Sequence, residues 1–307
     1  MSPARSIAII GAPSSAGAYA PGQEQAPTAL RAAGLLERLR APGREVIDHG
    51  DSPLFRWRPD RASRYAQNLP AVLDAVTTTA ERVRAANAAG QLPLVLGGDC
   101  TVGIGTVAGM LAQEPEGVGL IYFDLHADLN TPDSVPDGAL DWMGMAHLLD
   151  EPTARPELRQ IGPRTPLLRP EQVVLFGLSA KRATPWERDA IARHALRAVP
   201  VEEVAATPEA AAHAALSLLP DATRLLIHFD VDVIDFTDAP LSENTGRNEG
   251  LTLEQAFRAL RVLTAHPAFA ALTITELNPL HGEEDGATLE RFVDGLAVAL
   301  QQAPARI

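Results

Sequence analysis

Short, nearly continuous hydrophobic runs recur along this chain. Runs of this length that are rich in Val, Ile and Leu are typical of strands buried on both faces of a parallel sheet. They predict strands at 6–13, 92–99, 117–124, 172–178, 224–230 and 271–279.

Alanine-rich amphipathic segments separate these runs. Thr252, followed by Gln255 three residues later, marks the start of one of them as a helix. The segments predict helices at 28–39, 69–90, 208–219 and 252–265.

Strands that alternate with helices imply parallel strands joined by right-handed crossovers. We therefore predict an α/β fold with three α/β/α layers around a mainly parallel sheet. The length is compatible with one or two domains, and we expect a single domain over 1–307. The segment 131–144, rich in Pro, Asp and Gly, predicts a long functional loop, and 152–170 predicts an irregular surface excursion.

Composition and charge narrow the classes of function. The 307 residues are 46% hydrophobic and 21% charged, which is typical of a globular protein and excludes disordered and fibrous classes. The formal net charge of −13 would repel a nucleic-acid backbone or an anionic membrane. We therefore expect no nucleic acid and no membrane as a partner, although the charge by itself favours no particular substrate.

The N-terminus and the cysteine content bear on location. The first apolar run is too short for a signal-peptide core or a membrane span. Cys100 is the only cysteine, so no internal disulfide is possible, which fits a reducing compartment. These features predict a cytoplasmic protein.

Three predicted strands end in acidic residues: Asp99, Asp124 and Asp230. In open parallel sheets, ligand sites lie beyond the carboxyl ends of the strands. Asp99 taken alone is equally well explained as the N-cap of the next helix.

Acidic residues and a histidine also alternate along the chain. If the segment is extended, Asp124, His126 and Asp128 point the same way, and Asp230 and Asp232 repeat the pattern. Five such ligands carry more negative charge than one divalent ion needs, whereas two ions about 3.5 Å apart with bridging carboxylates would balance it. The pattern thus predicts a binuclear metal site, with a solvated acidic loop cluster as the alternative.

Several strings in this sequence resemble signatures of the ureohydrolase family, which includes arginases, agmatinases and formiminoglutamases. The similarity runs in order over most of the chain. The strings are the opening Gly-rich segment at 11–35, GGDC at 97–100, FDLHADLN at 123–130, HFDVDVID at 228–235 and TELNP at 275–279.

The resemblance implies an arginase- or deacetylase-like α/β/α fold that holds two divalent metal ions, typically manganese. It also implies hydrolysis of a carbon–nitrogen bond in a guanidino or amidino compound by a metal-bridging hydroxide, and a homo-oligomer, either trimer or hexamer. Asp128 would orient the hydroxide, and Glu276 would bind the cationic head of the substrate. The metal ligands carried over are Cys100, Asp124, His126, Asp128, Asp230 and Asp232.

Two departures from the family pattern affect the metals and catalysis. Cys100 stands where the family has its first histidine ligand. A thiolate ligand would favour zinc, iron or another thiophilic metal; the alternative is a buried cysteine that binds nothing. Asp141 stands where arginine-cleaving members have a proton-shuttling histidine, and it could serve as the acid only with a raised pKa. A catalytically silent, ligand- or partner-binding family member is therefore the second interpretation.

Two further histidines have open roles. His281 is a conceivable substitute proton shuttle, or a surface residue. His228 stands where a serine is usual, and it either supports the metal ligands from behind or is an ordinary hydrogen-bonded histidine at a strand end.

The substrate-binding positions also differ from those of arginine-cleaving members. Asn130 is retained, but Asp137 and Ala139 replace small polar residues that receive the substrate carboxylate. Because an aspartate would repel a carboxylate, we predict a guanidino or amidino substrate with a different tail, such as one with a second cation. Trp142 either narrows the pocket or packs beneath it.

Overall fold

The computed structural model describes residues 5–40, 44–113 and 115–304. Over these residues, eight strands form one sheet in which every neighbouring pair is parallel. The strands are β1 (Ile7–Gly11), β2 (Val46–Asp51), β3 (Leu92–Leu96), β4 (Val118–Phe123), β5 (Val173–Leu178), β6 (Arg197–Pro200), β7 (Arg224–Asp230) and β8 (Phe269–Thr275).

Helices cover both faces of the sheet. They are α1 (Ala26–Ala32), α2 (Leu35–Leu39), α3 (Leu69–Ala88), α4 (Val102–Leu111), α5 (Gly144–Leu148), α6 (Pro156–Arg159), α7 (Pro185–His194), α8 (Val201–Ala206), α9 (Pro208–Ser217), α10 (Leu253–Thr264) and α11 (Ala287–Gln301).

Alternate residues of the central strands enter two separate hydrophobic clusters. Ile7 and Ile9 of β1 pack with α1, α2 and α8 to α11, whereas Ala8 and Ile10 pack with α3 to α7. Since successive residues of a strand face opposite sides of a sheet, the two clusters are the two faces. The predicted three-layer α/β/α fold is confirmed.

The strand order brings distant parts of the chain together. The order across the sheet is β2-β1-β3-β8-β7-β4-β5-β6, so the last two strands in the sequence lie between β3 and β4. The carboxyl ends of β3, β8, β7 and β4 are therefore adjacent at the centre of the sheet. This places four motifs that are far apart in sequence side by side.

Local structure follows the sequence pattern closely in the interior of the fold. Each of the six predicted runs contains or overlaps a strand, and Thr252 and Gln255 form the expected capping box before α10. The predicted helix at 28–39 is wrong as one element, because α1 ends at Ala32 and α2 begins at Leu35, with Gly34 between them at a φ of 80°. The hydrophobic runs also missed β2 and β6, the two edge strands, whose side chains are mostly not buried.

The two predicted irregular segments are also observed. Residues 131–140 form a loop before a short 3-10 turn at Asp141–Met143, and 152–170 contains only the four-residue α6 and the start of a 3-10 turn.

Among the helices of the described ranges, none combines the length and apolar character needed to cross a bilayer.

Candidate metal centre

A cavity of about 390 Å³ opens above the carboxyl ends of the central strands. It is bordered by the loops that follow β3, β4, β7 and β8, together with the loop after β1 and residues of the segment between β5 and α7. Its lining contains Tyr19, Cys100, His126, Asp128, Asp137, Ala139, Asp141, Trp142, Arg182, Thr184, Glu187, Asp230, Asp232, Asn244 and Glu276.

Two groups of potential metal ligands lie at the base of this cavity. The first comprises Cys100, Asp124, His228 and Asp230, all buried, with one donor atom each within 4.8 Å of the others. The second comprises Asp124, His126 and Asp232, by the same distance criterion. Asp124 belongs to both groups, so a single carboxylate lies between the two candidate sites.

The ligands converge through turns and not through extended chain. β4 ends at Phe123, and β7 ends at Asp230, so the prediction that both motifs continue as extended segments is wrong. Instead, Asp124 Oδ1 accepts a hydrogen bond from the backbone N–H of His126 at 2.7 Å, and Asp230 Oδ1 accepts one from that of Asp232 at 2.8 Å. These side-chain-capped turns fold each motif back on itself.

The histidine of the second group contacts two of the acids. His126 Nδ1 lies 3.1 Å from Asp232 Oδ2 and 3.4 Å from Asp124 Oδ1. Burial opposes a charge on His126, but the Asp232 and Asp124 carboxylates outweigh it and raise its pKa well above the ordinary value.

Asp128 has a different environment from the other predicted ligands. It belongs to neither ligand group, and Tyr122 donates a hydrogen bond to its Oδ2. Its backbone φ is 51°, a left-handed conformation that turns the chain here. The carboxylate lines the cavity, so it faces the region where substrate and water would lie.

Burial and mutual repulsion raise the pKa of most of these acids. Burial, and then the Asp232 charge, raise the pKa of Asp124 to about 7. Burial followed by Asp232 likewise raises the pKa of Asp230 well above its usual range, and burial followed by Asp124 does so for Asp128. By contrast, burial lowers the pKa of His228 to about 3, so its imidazole is neutral.

The donor set fits divalent metal ions. Asp124 Oδ2 and Asp232 Oδ1 are buried and make no hydrogen bond to the described residues. Buried polar atoms without partners are costly, and buried carboxylates commonly coordinate metals. Carboxylate, imidazole and thiol donors in two adjacent groups thus form a potential metal-binding cluster that includes Cys100.

Glu276 lies beside this cluster in a strained position. It follows β8 with a φ of 60°, and its two carboxylate oxygens accept hydrogen bonds from Cys100 N at 2.9 Å and Gln23 Nε2 at 3.1 Å. Burial, then Asp141 and Asp99, raise its pKa well above the ordinary value. Neither of its two hydrogen-bond donors, the backbone N–H of Cys100 and the Gln23 amide, carries a positive charge that would offset the charge of this carboxylate.

Comparisons with known proteins agree with this geometry. A sequence model of the arginase family matches residues 5–297. The chain belongs to the arginase family. It is 31% identical to an arginase from Bacillus caldovelox over 91% of this chain and 93% of that protein, and 31% identical to human arginase-1 over 96% and 92%. A crystal structure of Bacillus subtilis arginase aligns with a TM-score of 0.85 at 27% identity, covering 96% of this chain and 98% of that one.

This arginase-family chain keeps Asp99 in a structural role. Asp99 accepts hydrogen bonds from the backbone N–H groups of Gly17 at 3.0 Å and Thr101 at 3.1 Å, so it ties the loop after β1 to the end of β3. Gly98 permits this close approach, because a Cβ there would lie 1.7 Å from Ser14 O. The interpretation of Asp99 as the N-cap of the next helix is wrong, because the N-cap of α4 is Thr101 and no side chain caps that helix. The Asp99 carboxylate instead accepts hydrogen bonds from backbone N–H groups of two loops.

Asp141 lines the cavity, and its surroundings raise its pKa. Burial first, and then the Asp99 charge, raise its pKa well above the ordinary value. This is the condition under which a carboxyl could take the place of the family's proton-shuttling histidine.

His281, the other residue considered as a proton shuttle, is not among the lining residues; its Nδ1 lies 2.8 Å from Ser242 O.

The predicted substrate-binding residues divide into two sets. Asp137 lines the cavity and is exposed, and Trp142 also lines it. Asn130 is not in the lining; its Oδ1 accepts hydrogen bonds from Ser134 and Thr184, of which Thr184 reaches the cavity.

Several lining residues were not found from the sequence: Tyr19, Arg182, Thr184, Glu187 and Asn244. None lies in a motif with metal-ligand spacing, so the sequence offered no chemical signal for them. Tyr122 is not in this lining, but its hydroxyl bonds Asp128, and the sequence did offer a signal for it, since a buried strand tyrosine two residues before Asp124 needs a partner for its hydroxyl.

Proposed function

We propose that this protein is a binuclear metal-dependent hydrolase that cleaves a carbon–nitrogen bond of a guanidino or amidino compound. One observation carries this proposal: two ligand groups, buried except for the half-buried His126, share Asp124 at the base of a cavity whose wall includes Glu276. Membership of the arginase family supports the reaction class, and the names of the arginases similar to this chain support a guanidino substrate.

In this proposal, Cys100, Asp124 and Asp230 hold one metal ion, and Asp124, His126 and Asp232 hold the other. Asp128, placed beside them by the Tyr122 hydrogen bond, orients the attacking water or completes the coordination. Two divalent ions, when bound, lower the pKa of a shared water enough to supply hydroxide near neutral pH. Family resemblance favours manganese for these ions, whereas Cys100 favours zinc, iron or another thiophilic metal at the site that it joins.

Glu276 is proposed to bind the cationic head of the substrate. Cys100 N and Gln23 hold its carboxylate in a fixed orientation, and the positive φ restricts the backbone. A carboxylate positioned before the substrate arrives holds a planar amidine carbon in place for attack. The leaving amine then needs a proton, which the buried Asp141 carboxyl would donate.

Replacing Asp141 by asparagine tests its role as acid. We expect turnover to fall by about 100-fold, the lower range for general acid catalysis, and protein stability at neutral pH to rise. The unfolded carboxyl ionises near pH 3.8, whereas the folded one stays protonated to higher pH. The unfolded state thus binds fewer protons, so the wild-type stability falls as the pH rises through this range.

Thermal unfolding from pH 4 to pH 8 measures the expected rise in stability. The Asp141→Asn variant should melt at a higher temperature than the wild type at pH 7, and this difference in melting temperature should vanish towards pH 4. Unchanged turnover in a well-folded variant would exclude Asp141 as the acid, and a lower melting temperature at pH 7 would contradict the assigned protonation.

Asp137 is proposed to discriminate against substrates that carry a carboxylate. Its exposed carboxylate lies in the cavity lining, and the nearby cation Arg182 is already paired with Glu249, with Nε to Oε2 at 2.6 Å. We therefore propose a substrate whose tail lacks a carboxylate, such as one with a second cation.

An Asp137→Ser variant should gain activity on arginine. Two like charges near a protein surface cost about 1–4 kcal/mol at contact, so we expect kcat/KM for arginine to rise by roughly tenfold. Agmatine, which has no carboxylate, serves as the matched substrate and should not gain. An equal rise for both compounds, or none for arginine, would refute this role.

Metal content tests the proposed function directly. The protein should contain about two ions per chain by elemental analysis, either as purified or after dialysis against manganese, and should release urea or an amine from a panel of guanidino compounds. One ion or none, with no turnover, would instead support the second interpretation, a catalytically silent member that binds a ligand or partner.

Family resemblance supports a proposal on assembly, and the cysteine content supports one on location. We propose a homo-oligomer, either trimer or hexamer, which light scattering during size-exclusion chromatography would measure. The single cysteine, Cys100, is compatible with the reducing environment of the cytoplasm, where we propose that the protein resides.

A further inference from the structure

His228 lies directly against the cysteine of the metal centre. It is on β7, two residues before Asp230, and its side chain is buried. Its Nε2 lies 3.4 Å from Cys100 Sγ and 3.1 Å from Thr275 Oγ1. Cys100 Sγ in turn lies 2.7 Å from Asp230 Oδ2. An imidazole and a thiol therefore lie in contact with each other beside the carboxylates of this site.

The position of the His228 ring is well defined. The ring stacks on Tyr122, with centroids 4.2 Å apart and planes at 7°. On its other edge, a Cβ at residue 103 would lie 2.5 Å from Nδ1, so Gly103 leaves the space that the ring occupies. The same Tyr122 donates its hydroxyl to Asp128. Packing thus orients Nε2 towards Cys100, whereas Nδ1 makes no hydrogen bond to the described residues.

The separation of the two donors matches shared coordination. Zinc binds sulfur at about 2.3 Å and imidazole nitrogen at about 2.0 Å, so two such donors on one tetrahedral ion lie roughly 3.5 Å apart. Sγ and Nε2 are 3.4 Å apart. One carboxylate oxygen each of Asp124 and Asp230 lies within 4.8 Å of Sγ and of a His228 ring nitrogen, and Asp124 Oδ2 has no hydrogen-bond partner in the described chain.

We propose that Cys100 and His228 are both ligands of the more buried metal ion, together with Asp124 and Asp230, and that this site selects a thiophilic ion over manganese. The imidazole missing at position 100 is thereby supplied from β7. This inference rests on the proposed binuclear function but makes a separate claim about which residues bind the ion and which ion it is.

The chemistry of the two sites then differs. The first offers sulfur, nitrogen and two carboxylates, a donor set that suits zinc, iron or cobalt, because thiolate is a soft ligand and manganese binds most weakly of the first-row divalent ions. The second offers His126 and the carboxylates of Asp124 and Asp232, which also suit manganese. We expect a mixed-metal centre.

Cobalt(II) spectroscopy of the whole protein tests the proposal without an activity assay. Protein freed of metal and loaded with cobalt should show a sulfur-to-cobalt charge-transfer absorption in the near ultraviolet. Cys100→Ser should abolish this band. His228→Gln should weaken cobalt binding at one of the two sites by at least about 100-fold. Mutation of a residue that only supports a metal ligand already lowers metal affinity by about 10- to 100-fold.

Two further variants separate ligation from packing. His147 is another fully buried histidine, bonded to Met143 O and to the backbone of Arg155; His147→Gln should retain both cobalt ions and the band. The double exchange Cys100→His with His228→Ser, which returns both positions to the family pattern, should bind two manganese ions and lose the preference for zinc in competition.

The outcomes distinguish this inference from the proposed function. Two cobalt ions per chain with no sulfur band, or with unchanged affinity in His228→Gln, would overturn the ligand assignment while leaving a binuclear hydrolase intact. Failure of the wild-type protein to bind cobalt, zinc or manganese would overturn the proposed function itself.

Discussion

Replacing Asp124 by asparagine should remove both metal ions and reduce turnover to background. Asp124 is the one residue that the two ligand groups have in common, and its Oδ2 has no other partner among the described residues. Loss of its charge weakens both sites together, by at least about 100-fold in affinity for each ion. Elemental analysis after dialysis measures the number of ions that remain.

A matched control is available in Asp99, which is equally buried at a strand end but belongs to neither ligand group. Asp99→Asn should retain two ions per chain, although it disturbs the hydrogen bonds to Gly17 and Thr101. If Asp124→Asn also kept two ions, the bridging role would be excluded. If it lost only one, Asp124 would serve a single site.

The second large effect is expected for Glu276→Gln. The change keeps the shape of the side chain but removes the charge that would face the cationic head of the substrate. Loss of one partner of a buried charge pair costs about 2–5 kcal/mol, so kcat/KM should fall by roughly 30-fold to 5,000-fold. Metal content should stay at the wild-type value, because Glu276 is in neither ligand group.

Glu151 provides the comparison for stability. It is buried, as Glu276 is, but lies outside the cavity lining, where it pairs with Arg193 at 2.6 Å and with His194. Glu151→Gln should lower the melting temperature and leave kcat/KM unchanged. Equal losses of activity in the two variants would mean that Glu276 acts through folding, and a full loss of metal in Glu276→Gln would make it a ligand.

Much of the candidate site was predictable because its residues stand at strand ends. Asp124 and Asp230 follow runs whose hydrophobicity marks them as central strands, and ligand sites of parallel sheets lie at that edge. The ligands do not converge along extended segments, as was predicted, however. The chain folds into side-chain-capped turns after Asp124 and at Asp230, and these depend on a few local hydrogen bonds that hydrophobic periodicity does not report.

Other features could not be predicted from local patterns. β2 and β6 lie at the sheet edges, where one side of the strand meets solvent and the hydrophobic signal weakens. Arg182 and Asn244 reach the cavity from loops, and loop side chains carry no periodic pattern that would indicate their direction.

By itself, the sequence determined the α/β class and the layered architecture, because strands buried on both faces need continuous apolar runs. It also indicated most candidate ligands, because divalent metals bind only a few types of side chain. Only the tertiary structure decided that His228 faces Cys100. The two residues are 128 positions apart, and their contact depends on the insertion of β8 and β7 beside β3. Strand order of this kind is set by the packing of the whole sheet, which no local segment encodes.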